Sequence, residues 1–171
     1  MMRTLPIQKQ PAVLRFVQAA ECYEKWARGG SDRGKRAAQL LVRHLAELFS
    51  AGLLLPDPGR FRKRSSEPDR VSLAEWKKIR DAARKRLPLE YYSEVFNPLP
   101  VPPDEPIAGS LSDDIADVFR DVVSGLRLFR AGYEKEALWD WRFSLWCHWG
   151  EHATSAMRAL YAYLFRNAEE I

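Results

Sequence analysis

Apolar side chains return at three- and four-residue intervals over most of this chain, the spacing of amphipathic helices. Pro11 suits a first helical position. Val13, Phe16, Val17, Ala20 and Tyr23 then share one face up to about Arg28, where Gly29-Gly30 stops the helix. Ser31 or Asp32 is placed to cap a second helix. Its face of Ala37, Leu40, Leu41, His44, Leu45 and Leu48 ends at Gly52, so residues 11–52 read as a helical hairpin. The period fails over residues 53–71, where Pro56, Pro58, Gly59 and the run from Arg60 to Arg64 predict a basic surface loop. Ser72-Leu-Ala-Glu75 has the form of a capping box. It opens a third helix with Leu73, Trp76, Ile79, Ala83 and Leu87 inward, and Tyr91, Tyr92, Val95 and Phe96 complete residues 72–96 as a segment docking on the bundle.

Residues 97–109 hold five prolines, which excludes a helix. Polyproline II rises about 3.1 Å per residue, so this segment could reach roughly 40 Å. It reads as a crossover strap along a bundle. Ser110-Leu-Ser-Asp113 is a second cap-like start. The helix it opens carries Ile115, Phe119, Val122, Leu126 and Phe129 on one face, with Asp114, Asp117 and Asp121 beside them, and Gly132 ends it.

Residues 137–164 are the densest stretch, with four of the six tryptophans and two of the three histidines. On one helical wheel, Trp139, Phe143, Trp146, Gly150, Ala153, Met157, Leu160, Tyr161 and Leu164 form a stripe. Trp141, Leu145, His148, His152, Ala159 and Tyr163 form a second. A helix apolar on two sides is sandwiched between neighbours. Gly150 in mid-helix costs about 1 kcal/mol relative to alanine, which marks close approach of a backbone or a bound group. Arg142, between the stripes, calls for an acidic partner. Residues 111–166 thus read as an Asp-rich helix followed by a central one. The fold class is all-α: one domain over residues 1–171, a bundle of about five helices, a long central C-terminal helix and a proline-rich strap.

Composition narrows the class. A hydrophobic fraction of 46% with 29% mixed charge excludes wholesale disorder. No apolar run approaches the roughly 18 residues a membrane span needs. The start, MMRTLPIQKQP, has no apolar core of a signal peptide. Cys22 and Cys147 lie outside any C-x-x-C spacing, which predicts reduced packing residues in a cytoplasmic protein. Residues 1–87 hold 20 Lys+Arg against 9 Asp+Glu, and residues 88–171 hold 7 against 14. Either the halves attract each other or the basic half meets an anionic partner.

His148 and His152 stand four apart and share a helical face, as paired histidines do in helical zinc sites. Asp114, Asp117 and Asp121 could add oxygen ligands from the preceding helix, a set suited to a divalent metal such as Zn, Fe, Mn or Ni. Water activated there could attack an ester or phosphate, with Arg142 holding an anionic substrate. The competing reading is structural, with the histidines bonding the aspartates across an interface. Trp141 and Trp149 read as core, or as an aromatic box around a ligand. A second candidate is the anion or partner patch of Arg60, Arg62, Lys63, Arg64, Lys77 and Lys78. Phe61 and Trp76 interleave with it and could stack on a single nucleic-acid strand. No known nucleic-acid motif accompanies it, which argues against that partner. Phosphate loops, dinucleotide fingerprints and Ser/His/Asp signatures are absent from the sequence.

The segments YYSEVFNP, SLSDDIADVFRDVVSGL and ALWDWRFSLWCHWGEHATSAMRAL resemble a bacterial family known only as a domain of unknown function. The resemblance covers about residues 88–164 and pairs an aspartate-rich helix with W-x-F-x4-H-W-G-x-H. Asp113, Asp114, Asp117, Asp121, Trp141, Phe143, His148, Trp149, Gly150 and His152 fall on its pattern, and His44 does not. It implies a small soluble bacterial protein and no assigned activity. The functional expectations are therefore a cytoplasmic bundle acting as a protein-interaction module, or a metal-dependent hydrolase or small-ligand binder on the Asp/His face.

Overall fold

The computed structural model describes residues 5–60 and 69–168. After a short 3-10 turn at Ile7–Lys9 come α1 (Pro11–Arg28), α2 (Gly34–Leu53), α3 (Leu73–Arg86), β1 (Tyr91–Glu94), β2 (Ile107–Ser110), α4 (Leu111–Arg130), α5 (Glu134–Cys147) and α6 (Trp149–Arg166). The class is all-α apart from that two-stranded ribbon. Local signals set most boundaries. Pro11 opens α1, and Gly29 closes it at φ 139°, a conformation that disfavours any residue with a Cβ. Ser72 Oγ accepts the Glu75 N–H at 3.2 Å, and Ser110 Oγ accepts the Asp113 N–H at 3.4 Å. Neither Ser31 nor Asp32 caps α2; its N-cap is Arg33, with no side-chain bond.

The enclosed helix is α4, which packs against α1, α3, α5 and α6. Leu111, Ile115, Ala116, Val118, Phe119, Val122, Val123, Leu126 and Leu128 are fully buried on it, more than one stripe of its circumference. The C-terminal rod lies beside α4 and is not continuous. His148 adopts φ −156°, ψ −83°, so α5 ends at Cys147 and α6 starts at Trp149. Gly150 sits where a Cβ would lie 2.0 Å from the Leu145 carbonyl oxygen, so the close approach it marks is that of the preceding turn.

The break changes which rings are buried. Trp141 and Trp149 are fully buried, whereas Trp139, Phe143, Trp146 and Tyr161 are exposed. One non-helical residue resets the phase of the 3.6-residue period, so a stripe drawn across it joins faces that do not coincide. Trp141 and Trp149 are core, not a ligand box: their rings lie 4.7 and 6.3 Å from the Phe16 ring. Trp141 donates its indole N–H to the Val122 carbonyl at 3.0 Å, and Trp149 donates to the Trp141 carbonyl at 3.1 Å.

Other expectations change too. Leu73 and Phe96 are exposed. Both cysteines are free and exposed, so neither is a packing residue. Arg142 finds a carbonyl in place of an acid, donating to Leu55 just past α2. The proline segment is a hairpin loop: β1 pairs antiparallel with β2, Glu94 opposite Ile107, so residues 95–106 leave and return at the same point. The reach of an extended chain does not say where its ends are held.

The two charge-biased halves are joined by ion pairs of both polarities. Arg70 pairs with Asp140 at 2.6 Å, while Arg127 pairs with Glu75 at 2.7 Å and Arg130 with Glu24 at 3.1 Å.

The closest approach of a side chain to a glycine is at Gly125 of α4, where an added Cβ would lie 2.1 Å from Trp141 Nε1. Gly125→Ala must therefore push the indole off the Val122 carbonyl. The expected loss is about 1–3 kcal/mol, the usual cost of overpacking. A lower urea midpoint at unchanged slope checks it, and an unchanged midpoint would contradict this packing.

Candidate metal centre

Asp114, Asp117 and Asp121 occur at i, i+3 and i+7, so α4 presents them along one line. On an enclosed helix that line must find partners. α6 supplies two. His148, its N-cap, and His152, in its first turn, bring their ring centroids within 4.8 Å of each other.

Each imidazole is held by a different carboxylate. His148 Nδ1 lies 2.8 Å from Asp121 Oδ2, and His152 Nδ1 lies 2.8 Å from Asp114 Oδ1. Arg120 Nη2, which can only donate, lies 3.5 Å from His148 Nε2, so that nitrogen is the acceptor and Nδ1 carries the proton. His152 Nε2 lies 3.8 Å from Asp117 Oδ2. The third aspartate thus stands on the Nε2 side of His152. One ligand atom each from Asp117, His148 and His152 falls within 4.8 Å of the others.

Three residues outside the predicted cluster complete it. Tyr92 of β1 donates its hydroxyl to Asp114 Oδ2 at 2.7 Å. Trp76 of α3 donates its indole N–H to Asp117 Oδ1 at 3.0 Å. Arg120, one turn on from Asp117, pairs with that same oxygen at 2.8 Å. Only Arg120 had a sequence signal, its i+3 spacing from Asp117. Arg142 is turned to Leu55 and takes no part.

The electrostatics follow the burial. The Asp114 side chain is only 7% exposed and that of His152 30%. Burial pushes Asp114 above the ordinary carboxylate value, against the opposing hydrogen bonds from His152 and Tyr92. For His152 burial acts downward, but the hydrogen bond to Asp114 and the charges of Asp114 and Asp117 outweigh it and hold the imidazole above its usual 6.5. In a simple ion pair the acid would move down. Here both partners move up, because the acid is the more buried of the two and the pair retains a proton. Tyr92 is raised by burial and by Asp114, and stays a donor.

A cavity of about 950 Å³ opens between the ribbon and α6, lined among others by Tyr92, Phe96, Ser155, Arg158 and Tyr163. None of the three convergent ligands lines it. Tyr92 is the shared wall, with its ring on the cavity and its hydroxyl on Asp114. The basic patch is less coherent. Lys77 and Lys78 are exposed on α3, Arg60 lies beyond α2, and Phe61, Arg62, Lys63 and Arg64 fall outside the described residues. The Trp76 indole is half-buried, with Arg80 5.3 Å from its ring, so it is not a free face for a base.

Comparison with known proteins gives a family and a fold. The model of a family described as a domain of unknown function, DUF5063, matches residues 15–166. No curated protein matches. The crystal structure of protein BF1032 from Bacteroides fragilis is similar, with a TM-score of 0.74 at 18% identity, covering 91% of this chain and 94% of that one. At that identity the likeness carries the fold alone. No helix among the described residues is long and apolar enough to cross a membrane.

The His152–Asp114 pair sets a measurable titration. The folded state binds the His152 proton more tightly than the unfolded one. Its contribution to stability is therefore full below about pH 6.5 and is lost as pH rises through the raised folded value. Long-range proton–nitrogen NMR of the metal-free protein should show the His152 ring losing its proton above pH 6.5 and keeping the remaining one on Nδ1. Asp114→Asn should bring that titration down. A ring that titrates alike in both proteins would remove the proposed coupling.

Proposed function

The chain belongs to the DUF5063 family, a domain of unknown function, and on that premise we propose that it binds one divalent transition-metal ion through Asp117, His148 and His152 and uses it to activate water against an anionic ester or phosphate. The observation that carries this reading is the division of labour among the aspartates. Asp114 and Asp121 each take an Nδ1, the His152 Nε2 faces Asp117 at 3.8 Å, and one ligand atom each from Asp117, His148 and His152 lies within 4.8 Å of the others. Metal-binding histidines characteristically donate their other ring nitrogen to a carboxylate, which fixes the ring and raises its basicity. Three protein ligands leave a coordination position for water, as catalytic zinc sites do. A set of two histidines and one carboxylate suits Zn, Fe, Mn or Ni.

Arg120 has two parts in this reading. Its guanidinium pairs with Asp117 in the metal-free state. Its side chain is 41% exposed, so it can swing out when a cation takes its place. It then stands beside the site as the group that holds an anionic substrate, the part expected of Arg142.

The test is metal titration by calorimetry, with metal content measured on the same samples. One Zn or Mn per chain is expected, lost in Asp117→Ala and His152→Ala. Asp121→Asn should weaken binding by about 10- to 100-fold, the usual effect of removing a carboxylate behind a ligand. Arg120→Gln should bind metal at least as tightly as the parent, because a competitor for Asp117 is gone. Equal stoichiometry in parent and His152→Ala would defeat the site. A loaded protein that turns over neither p-nitrophenyl phosphate nor p-nitrophenyl acetate would defeat the hydrolytic half.

A second reading, a cytoplasmic protein-interaction module, is favoured by one observation. Trp139, Phe143 and Trp146 form an exposed ridge on α5, with the first two rings stacked at 4.8 Å. Such rings are enriched at interfaces. The occupant we commit to is a second copy of the chain, since a ridge of like rings is self-complementary about a two-fold axis. Sedimentation velocity should show association that rises with concentration and is lost in the Phe143→Ser, Trp146→Ser double variant. A chain that remains monomeric at every concentration ends this reading.

A further inference from the structure

The joint between α1 and α2 meets the C-terminal end of α3 at a cavity of about 410 Å³, lined by Gly29, Gly30, Arg33, Lys78, Lys85 and Arg86, with Asp81 as the one carboxylate. That volume falls within the roughly 300–1,000 Å³ of small-molecule sites. The cavity is separate from the Asp/His cluster. Trp76, which touches that cluster, lies ten residues before Arg86 on α3, about 15 Å along the helix.

Arg86 is the unusual member. It is 3% exposed. Its guanidinium lies 4.3 Å from the Trp26 ring, and Nη1 donates to the Trp26 carbonyl at 2.6 Å. Its Nε reaches the Asp32 carbonyl at 3.4 Å. Nη2 is buried with no hydrogen-bond partner. Buried arginines are retained where each arm of the fork is used, and an unsatisfied buried donor costs about 1–3 kcal/mol or more when charged. Burial pushes the guanidinium down from its ordinary value and the charge of Arg33 adds to that, while the Asp32 carboxylate opposes both without bonding Nη2.

Gly30 covers this unused arm. A Cβ there would lie 3.2 Å from Nη2. Gly30 is not among the glycines with positive φ, so the backbone does not demand glycine at this position. What the missing side chain leaves is room above the guanidinium. The rim repeats the charge: Lys78, Lys85 and Arg33 are exposed around it. Helix α2 also begins at this rim, without a side-chain cap on its first turn.

We propose that this cavity binds a phosphate-type dianion, as the free ion or as the monoester of a small molecule, seated on the Gly29-Gly30 joint between Lys78, Lys85 and Arg33 and completing the hydrogen bonding of Arg86. The joint shifts to admit one oxygen to Nη2, a movement that a glycine permits and a larger residue blocks. Arg86 supplies a fixed donor geometry and the lysines supply charge, the division usual at phosphate sites. The site is independent of the metal reading and stands if that reading fails.

The experiment follows the amide resonances of the full chain by proton–nitrogen NMR. Inorganic phosphate and glycerol phosphate are added separately, with sodium chloride at matched ionic strength as the control. The expected result is a saturable shift concentrated at Gly29, Gly30, Arg33, Lys78 and Lys85. The Lys78→Gln, Lys85→Gln double variant, both residues exposed and outside the core, should fold normally and bind at least tenfold more weakly. Gly30→Ala should also weaken binding. Tighter binding of glycerol phosphate assigns the site to a monoester, and equal binding assigns it to the free ion. Shifts that grow linearly and match those of chloride overturn the proposal. So does Gly30→Ala binding as well as the parent, since the lysines alone would then account for the attraction.

Discussion

The contact that orders the rest is the Trp141 indole laid on Gly125 of α4. A large ring can approach a helix backbone this closely only where that helix lacks a side chain. Its N–H then fixes the ring on the Val122 carbonyl, and with it the whole of α5 relative to α4. From that anchor Trp149 is placed by its own bond to the Trp141 carbonyl. The chain must cross from one indole to the other in eight residues. An unbroken helix would carry Trp149 to a different azimuth, because eight residues exceed two turns by about 80°. The irregular residue at His148 is where the chain makes that correction, and the two histidines take their places from it.

A polar line on an enclosed helix is a demand on its neighbours. Asp114, Asp117 and Asp121 would destabilise the fold if α4 were buried with nothing opposite them. The chain answers from four directions: the two imidazoles on α6, Tyr92 on β1, Trp76 on α3 and Arg120 on α4 itself. Such a network contributes specificity to the packing whether or not an ion enters it. What separates it from a plain set of core ion pairs is that each histidine makes its one short carboxylate bond through Nδ1.

Much of this architecture could be read in the residues, because α1, α3 and α4 each carry their own start and stop. The Ser72 and Ser110 caps and the Gly29 terminator act within a few residues, so they survive any tertiary context. The aspartate line and the histidine pair were likewise legible, since spacing alone places them on faces. The break at His148 was not. Cys147, His148 and Trp149 include no proline or glycine, and the one clue, Gly150, fits a close approach anywhere along a continuous helix. The ribbon escaped for a different reason: four-residue strands are too short to establish an alternating pattern. The charge of Arg142 points to an acid, but the carbonyl of Leu55 just past the end of α2 accepts from it instead.

The ribbon has a consequence for how the molecule is assembled. Tyr92 is more than twenty residues from Asp114, and the strand that carries it is held mainly by its pairing with the segment leading directly into α4. That hairpin therefore covers the far end of the carboxylate line. The Tyr92 hydroxyl covers Asp114 Oδ2 while His152 takes Oδ1, so the burial that raises this carboxyl is completed by the ribbon. A peripheral two-stranded ribbon thus contributes to the chemical state of a group on the enclosed helix.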